Sequence, residues 1–196
     1  MTGRFADIYD NNEWAYGSGV GSLPLNNIEY IRFLIAFMAR NEIRSVVDFG
    51  CGDWQFSRFI PWNGVKYTGY DVVEAVIKRN NSLFSRDNIS FSLLPSDADF
   101  ARADLILCKD VFQHLPNSLI HRYVSLFKAR SRFALVTNDE WPGETATNAD
   151  IEEGGWRPVR LDRAPFMQVA PVVLSWTVEW GGWKPTRKCT ALLAGQ

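Results

Sequence analysis

Ser45-Val46-Val47-Asp48-Phe49-Gly50-Cys51-Gly52-Asp53-Trp54 is the stretch on which the reading of the fold turns. Its first five residues read as a short buried strand, ended by Gly50. A short helical stretch follows around residues 55–60, so the glycines lie where a strand gives way to a helix. Glycine there lets the backbone turn tightly and approach a ligand closely, while N–H groups at the next helix start point toward it. An acid ahead of the glycines, Asp48, suits a ligand with a positive end.

Working outward, strands and helices alternate. Before the stretch, Ile28, Ile31, Leu34, Ile35 and Met38 recur at helical spacing over residues 26–40, with Asn26 or Asn27 as the expected cap. After it, residues 66–71 predict a second strand, 74–84 a helix, 89–94 a third strand and 104–108 a fourth. Pro116 opens a helix whose Leu119, Ile120, Tyr123, Val124 and Phe127 share one face, and residues 132–137 predict a fifth strand. Such alternation means a mostly parallel sheet covered on both faces, a three-layer α/β sandwich. The tail departs from it. Residues 138–170 show scattered Gly and Pro without helical period, and then 172–180, Gly181-Gly182 and 188–193 read as an antiparallel hairpin with a wide turn. Residues 1–25, aromatic and glycine-rich, read as an arm or lid without an element of its own.

Composition narrows the classes. The 196 residues suit one domain, are 46% hydrophobic and 22% charged, and carry a formal net charge of −1. That balance argues against disorder and supplies no general field for nucleic acid or an anionic membrane. Cys51, Cys108 and Cys189 lack C-x-x-C spacing, so neither a zinc site nor a disulfide framework is expected, and no metal. No apolar run approaches membrane-spanning length, and a cytoplasmic setting is the expectation.

A second signal lies roughly twenty residues beyond the glycines. Asp71 ends the second strand, where an acid in nucleotide-binding sheets of this type takes the ribose hydroxyls. With Asp48-x-Gly50-x-Gly52, Asp71 and Cys108-Lys109-Asp110-Val111-Phe112-Gln113-His114-Leu115 after the fourth strand, the chain resembles class I S-adenosylmethionine-dependent methyltransferases over residues 26–137. The resemblance implies a Rossmann-like fold with seven strands and a reversed last strand, in a single methyltransferase domain over 26–196 behind the arm. It implies S-adenosyl-L-methionine as cofactor, its methionine part at Asp48, Gly50, Cys51 and Gly52. The ribose falls to Asp71 with Val72, the adenine border to Ser96 or Asp97, and the sulfonium side to Lys109 and Asp110. Trp54 departs from the pattern, since many members carry a third glycine there; the indole must point away from the cofactor or cap it.

The competing fold reading is a nicotinamide-dependent oxidoreductase, whose G-x-G-x-x-G needs a small residue where Gln55 stands. A cofactor-binding module or partner subunit without turnover is the competing function. Methyl transfer is a direct displacement and requires no triad; if the acceptor is a hydroxyl, Asp110, His114 or Asp139 is the candidate base. Trp141, Trp156, Arg157 and Arg160 are candidate acceptor contacts, arginine offering a planar fork to a carboxylate or phosphate. A small molecule or glycan is the expected acceptor, with no nucleic acid and no membrane.

Overall fold

A computed structural model of the chain describes residues 2–95, 100–140, 148–179 and 185–195. The expected strands are present as β1 (Ser45–Phe49), β2 (Lys66–Asp71), β3 (Ile89–Leu93), β4 (Ala103–Lys109), β5 (Ser131–Glu140), β6 (Val172–Val178) and β7 (Thr186–Ala194). They form one sheet in the order β3-β2-β1-β4-β5-β7-β6. β1 to β3 pair in parallel, whereas β7 runs antiparallel to both β5 and β6. This is the Rossmann-like sheet with a reversed last strand that the resemblance implies, its parallel part being what the alternation predicts. Packing divides the chain into two compact units, Met1–Leu105 and Ile106–Gln196.

In the first unit, α2 (Ile28–Arg40) buries Tyr30, Leu34 and Met38. Its expected cap takes another form. Asn27 stands before the helix but donates from Nδ2 to the carbonyls of Gly21 and Leu23, tying down two 3₁₀ turns that lead into α2. α3 (Glu74–Phe84) buries Val76, Ile77 and Asn80. The arm is not without an element: α1 (Thr2–Asp10) buries Phe5 and Ile8, which together with Tyr9 keep the i, i+3, i+4 spacing of a helical face. Trp54 lies in the core, its ring centroid 5.0 Å from Phe84, 5.3 Å from Phe91 and 5.6 Å from Tyr67. The indole thus points away from the loop surface. Its φ of +58° is the left-handed conformation in which a glycine costs least, which explains a glycine as the common choice at this place.

In the second unit, α4 (Asn117–Arg130) buries Ile120, Tyr123, Val124 and Phe127, and Phe112 stacks on Phe127 at 5.7 Å. β5 is longer than periodicity suggests. Asn138, Asp139 and Glu140 belong to the strand, paired with Cys189, Lys188 and Arg187, because β7 continues the ladder past the apolar part of β5. Residues 148–171 carry neither helix nor strand, as expected, and side chains anchor them: Asn148 Nδ2 donates to the carbonyls of Arg160 and Ala164. Among the described residues no helix is long and apolar enough to cross a membrane.

Candidate active site

The first unit holds the glycine loop. Gly50 and Gly52 have φ of +76° and +52°, so the two glycines are required by the turn itself. The N–H groups of Gly50 to Asp53 are each engaged. Gly50 and Cys51 donate to the Tyr70 carbonyl at 2.8 and 2.9 Å, Gly52 to Asp71 Oδ2 at 3.0 Å, and Asp53 to Ser18 Oγ at 2.9 Å. Acceptors gather around them instead. Asp48 is buried and accepts a hydrogen bond from the Tyr67 hydroxyl at 2.6 Å, while Asn80 donates to the Gly52 carbonyl at 2.7 Å. Asp53 Oδ1 and Asn80 Oδ1 are buried without a hydrogen-bond partner.

Asp71 closes the loop from β2. Each carboxylate oxygen accepts one backbone N–H at 3.0 Å, Oδ2 from Gly52 and Oδ1 from Val73. Burial pushes its carboxyl above the usual range, against the pull of those N–H groups. Val72 is half-buried beside it. The Cys51 side chain is buried, and the Cβ that Gly69 lacks would meet Cys51 Sγ at 2.9 Å. Burial, then Asp71 and Asp48, push that thiol well up, so it packs as a small apolar group and only its backbone belongs to the loop surface.

These features fit S-adenosylmethionine and do not fit a dinucleotide. A pyrophosphate is held by free backbone N–H groups, and here Gly50 to Asp53 offer none. An ammonium, a sulfonium and a ribose diol need acceptors and negative charge, which Asp48, Asp53 and Asp71 supply. Ser96 and Asp97, expected at the adenine border, lie outside the described residues.

The second unit holds a buried ion network. Lys109 Nζ lies 2.5 Å from Asp110 Oδ2, and Lys188 Nζ bridges Asp110 Oδ1 at 2.8 Å and Asp139 Oδ1 at 2.6 Å. Asp139 Oδ2 accepts longer bonds from Gln113 Nε2 at 3.2 Å and Trp156 Nε1 at 3.3 Å. Burial disfavours the Asp110 anion, yet Lys109 and Lys188 outweigh it and hold the carboxyl down at about 2. Burial likewise opposes the Lys188 ammonium, but Asp110 and Asp139 raise its pKa overall. Since the folded pKa of Asp110 lies below its ordinary 3.8, its contribution to stability is full above that value and lost as pH falls toward about 2. The denaturation midpoint is therefore expected to drop across this window, and less steeply in Asp110→Asn.

The remaining candidates separate by how they are held. His114 Nδ1 lies 2.7 Å from the Gly155 carbonyl, which places the proton on Nδ1, and burial lowers the ring's pKa. Arg157 is buried and donates to the carbonyls of Phe112 at 2.6 Å, Leu115 at 2.7 Å and Ala149 at 3.3 Å, and to Asn117 Oδ1 at 2.9 Å. Its pKa falls to about 10 through burial. An arginine so engaged braces the segment after β4, and as an acceptor contact it stays an expectation. Arg160 pairs with Asp162 and Glu140, whereas Trp156 is 38% exposed. Trp141 lies outside the described residues. Lys188 was not singled out by its sequence, although a lysine alternating with Thr186 and Thr190 on β7, all three buried, is the signal that could have marked it.

Residues 26–142 match the family described as a methyltransferase domain. The chain belongs to that family, of the class I, S-adenosylmethionine-dependent kind its motifs resemble. It is similar to the ubiquinone biosynthesis O-methyltransferase of Hydrogenovibrio crunogenus, 28% identical over 120 residues, which are 57% of this chain and 49% of that protein. The chain thus spans about half the length of this curated relative. Among solved structures, magnesium protoporphyrin IX methyltransferase from Synechocystis PCC 6803 with bound SAH shares the fold with a TM-score of 0.60 at 14% identity, over 95% of this chain and 97% of that one. TehB from Haemophilus influenzae also gives 0.60, at 16% identity over 84% and 62%.

Proposed function

We propose that the protein transfers a methyl group from S-adenosylmethionine to a small-molecule acceptor, with a hydroxyl as the attacked group. The observation that carries this reading is the glycine loop whose N–H groups from Gly50 to Asp53 are engaged while three carboxylates surround it. S-adenosylmethionine, when bound, supplies an electrophilic methyl on a sulfonium. On this reading Asp71 accepts the ribose hydroxyls, and Asp48 places negative charge near the cationic end. In the second unit Asp110 is clamped on both oxygens by lysines, so it is an anchor rather than a base. Among the described residues Asp139 has one ammonium on Oδ1 and two long neutral bonds on Oδ2. That oxygen takes an acceptor proton only when one of these two weak bonds gives way, with Trp156 beside it. Holding acceptor and methyl in line supplies roughly 7–11 kcal/mol of barrier reduction in favourable cases. The hydroxyl preference rests on the similarity to the ubiquinone biosynthesis enzyme; a sugar hydroxyl meets the same chemistry.

Calorimetry with SAH and with NAD, followed by methyl-labelled cofactor with phenols, small carboxylates and monosaccharides, tests the proposal. SAH binding in preference to NAD, and label in at least one hydroxyl compound, are expected. Tighter binding of NAD would overturn the assignment; SAH binding with no label passed to any acceptor would favour a binding module.

A further inference from the structure

We propose that the amino-terminal arm is a latched wall of the cofactor site, closed through Tyr9 and Ser18, and that a bound cofactor leaves only when the latch opens. The inference rests on the methyltransferase reading and adds residues that no cofactor motif contains.

The latch is a set of hydrogen bonds between the arm and the glycine loop. The Tyr9 and Ser18 hydroxyls pair at 2.5 Å, and Ser18 Oγ accepts the Asp53 N–H at 2.9 Å. Ser18 N–H returns to Asp53 Oδ2 at 3.4 Å, a long bond. Gln55 Nε2 reaches both Asp53 Oδ2 at 2.8 Å and the Tyr16 carbonyl at 2.5 Å. Ser18 also fills the space on Gly52's open face: a Cβ at Gly52 would collide with Ser18 Oγ and lie 3.2 Å from the Tyr9 hydroxyl. The glycine at this position thus admits the arm.

The arm takes strained backbone to get there. Asn12, Ala15 and Tyr16, none of them glycine, have φ of +50°, +56° and +50°, followed by Gly17 and Gly19 at +76° and +87°. Such conformations persist where surrounding contacts hold them, and they cluster at ligand clamps. The contacts are present: Tyr9 and Phe5 pack on Trp14 at 5.8 and 6.1 Å, and Arg4 forks onto Glu13 at 2.7 Å. Tyr9 sits close to Asp71 and Asp53. Burial, and then Asp71, raise its pKa well above the ordinary value, so the phenol stays protonated beside the expected ribose acid. A tail that touched nothing would show none of these features.

The test uses the full chain with SAH as the probe, in wild type, Tyr9→Phe, Ser18→Ala and the double variant. Each substitution keeps the ring or backbone and removes one hydroxyl. Losing two neutral hydrogen bonds should weaken SAH binding in the double variant by about tenfold, read by calorimetry and as faster SAH dissociation. In wild type, SAH should slow amide hydrogen exchange over residues 14–20. Affinity of the double variant within twofold of wild type would overturn the latch alone, as would SAH speeding exchange in the arm. Failure of wild type to bind SAH would overturn the methyltransferase reading and the latch with it.

Discussion

Lys188→Met is expected to cost about 3–5 kcal/mol of unfolding free energy, the range for breaking a buried charge pair by removing one partner. Lys188 is 1% exposed and is the ammonium shared by Asp110 and Asp139. Methionine preserves the volume and removes the charge, leaving Asp139 Oδ1 buried with no ion partner and Asp110 with Lys109 alone. For a chain of this length each kcal/mol moves the melting temperature by roughly 2–4 °C, so a fall of roughly 6–20 °C is anticipated. Adding Asp139→Asn to Lys188→Met should recover part of it, since the stranded charge goes too. A single variant that unfolds within about 0.5 kcal/mol of wild type would show that the network contributes little. Lys188→Arg is the informative contrast. The larger fork keeps the charge but must find room between two carboxylates, so an intermediate stability is expected.

Asp71→Ala is the second large effect, this time on the ligand. Its carboxylate holds the Gly52 and Val73 N–H groups and, on the reading above, two ribose hydroxyls. Loss of charge-assisted bonds of about 1.5–3 kcal/mol corresponds to roughly ten- to hundredfold weaker SAH binding. Orphaning the Gly52 N–H should also loosen the loop, so amide exchange at Gly52 and Asp53 should quicken even without ligand. An unchanged dissociation constant in a folded variant would place the ribose elsewhere.

Much of the fold was legible because its signals are local. Val46-Val47 with Gly50 and Gly52, the helical face of α2 and the strand at 66–71 each lie within a dozen contiguous residues, where side-chain period and φ demands act directly. Other features were hidden for physical reasons. α1 escaped because the glycines and aromatics after it obscured the Phe5, Ile8, Tyr9 face. β5 read short because Asn138-Asp139-Glu140 is polar, and a strand continues through polar residues when its neighbour supplies the ladder.

The site divides in the same way. The glycine turn and the place of Asp71 at the end of β2 were legible in the sequence itself, since a left-handed turn needs glycine and a strand end presents its last side chain wherever the strand lies. What each polar side chain faces was decided only by the tertiary structure. Arg157 suggested an anion fork, yet three backbone carbonyls and Asn117 take its donors. Lys188 meets Asp110 across 78 residues of chain, and it faces Asp139 through a β5–β7 register that no local pattern encodes. A buried charge is tolerated only beside its counter-charge, and which charges become neighbours is a property of strand order rather than of spacing.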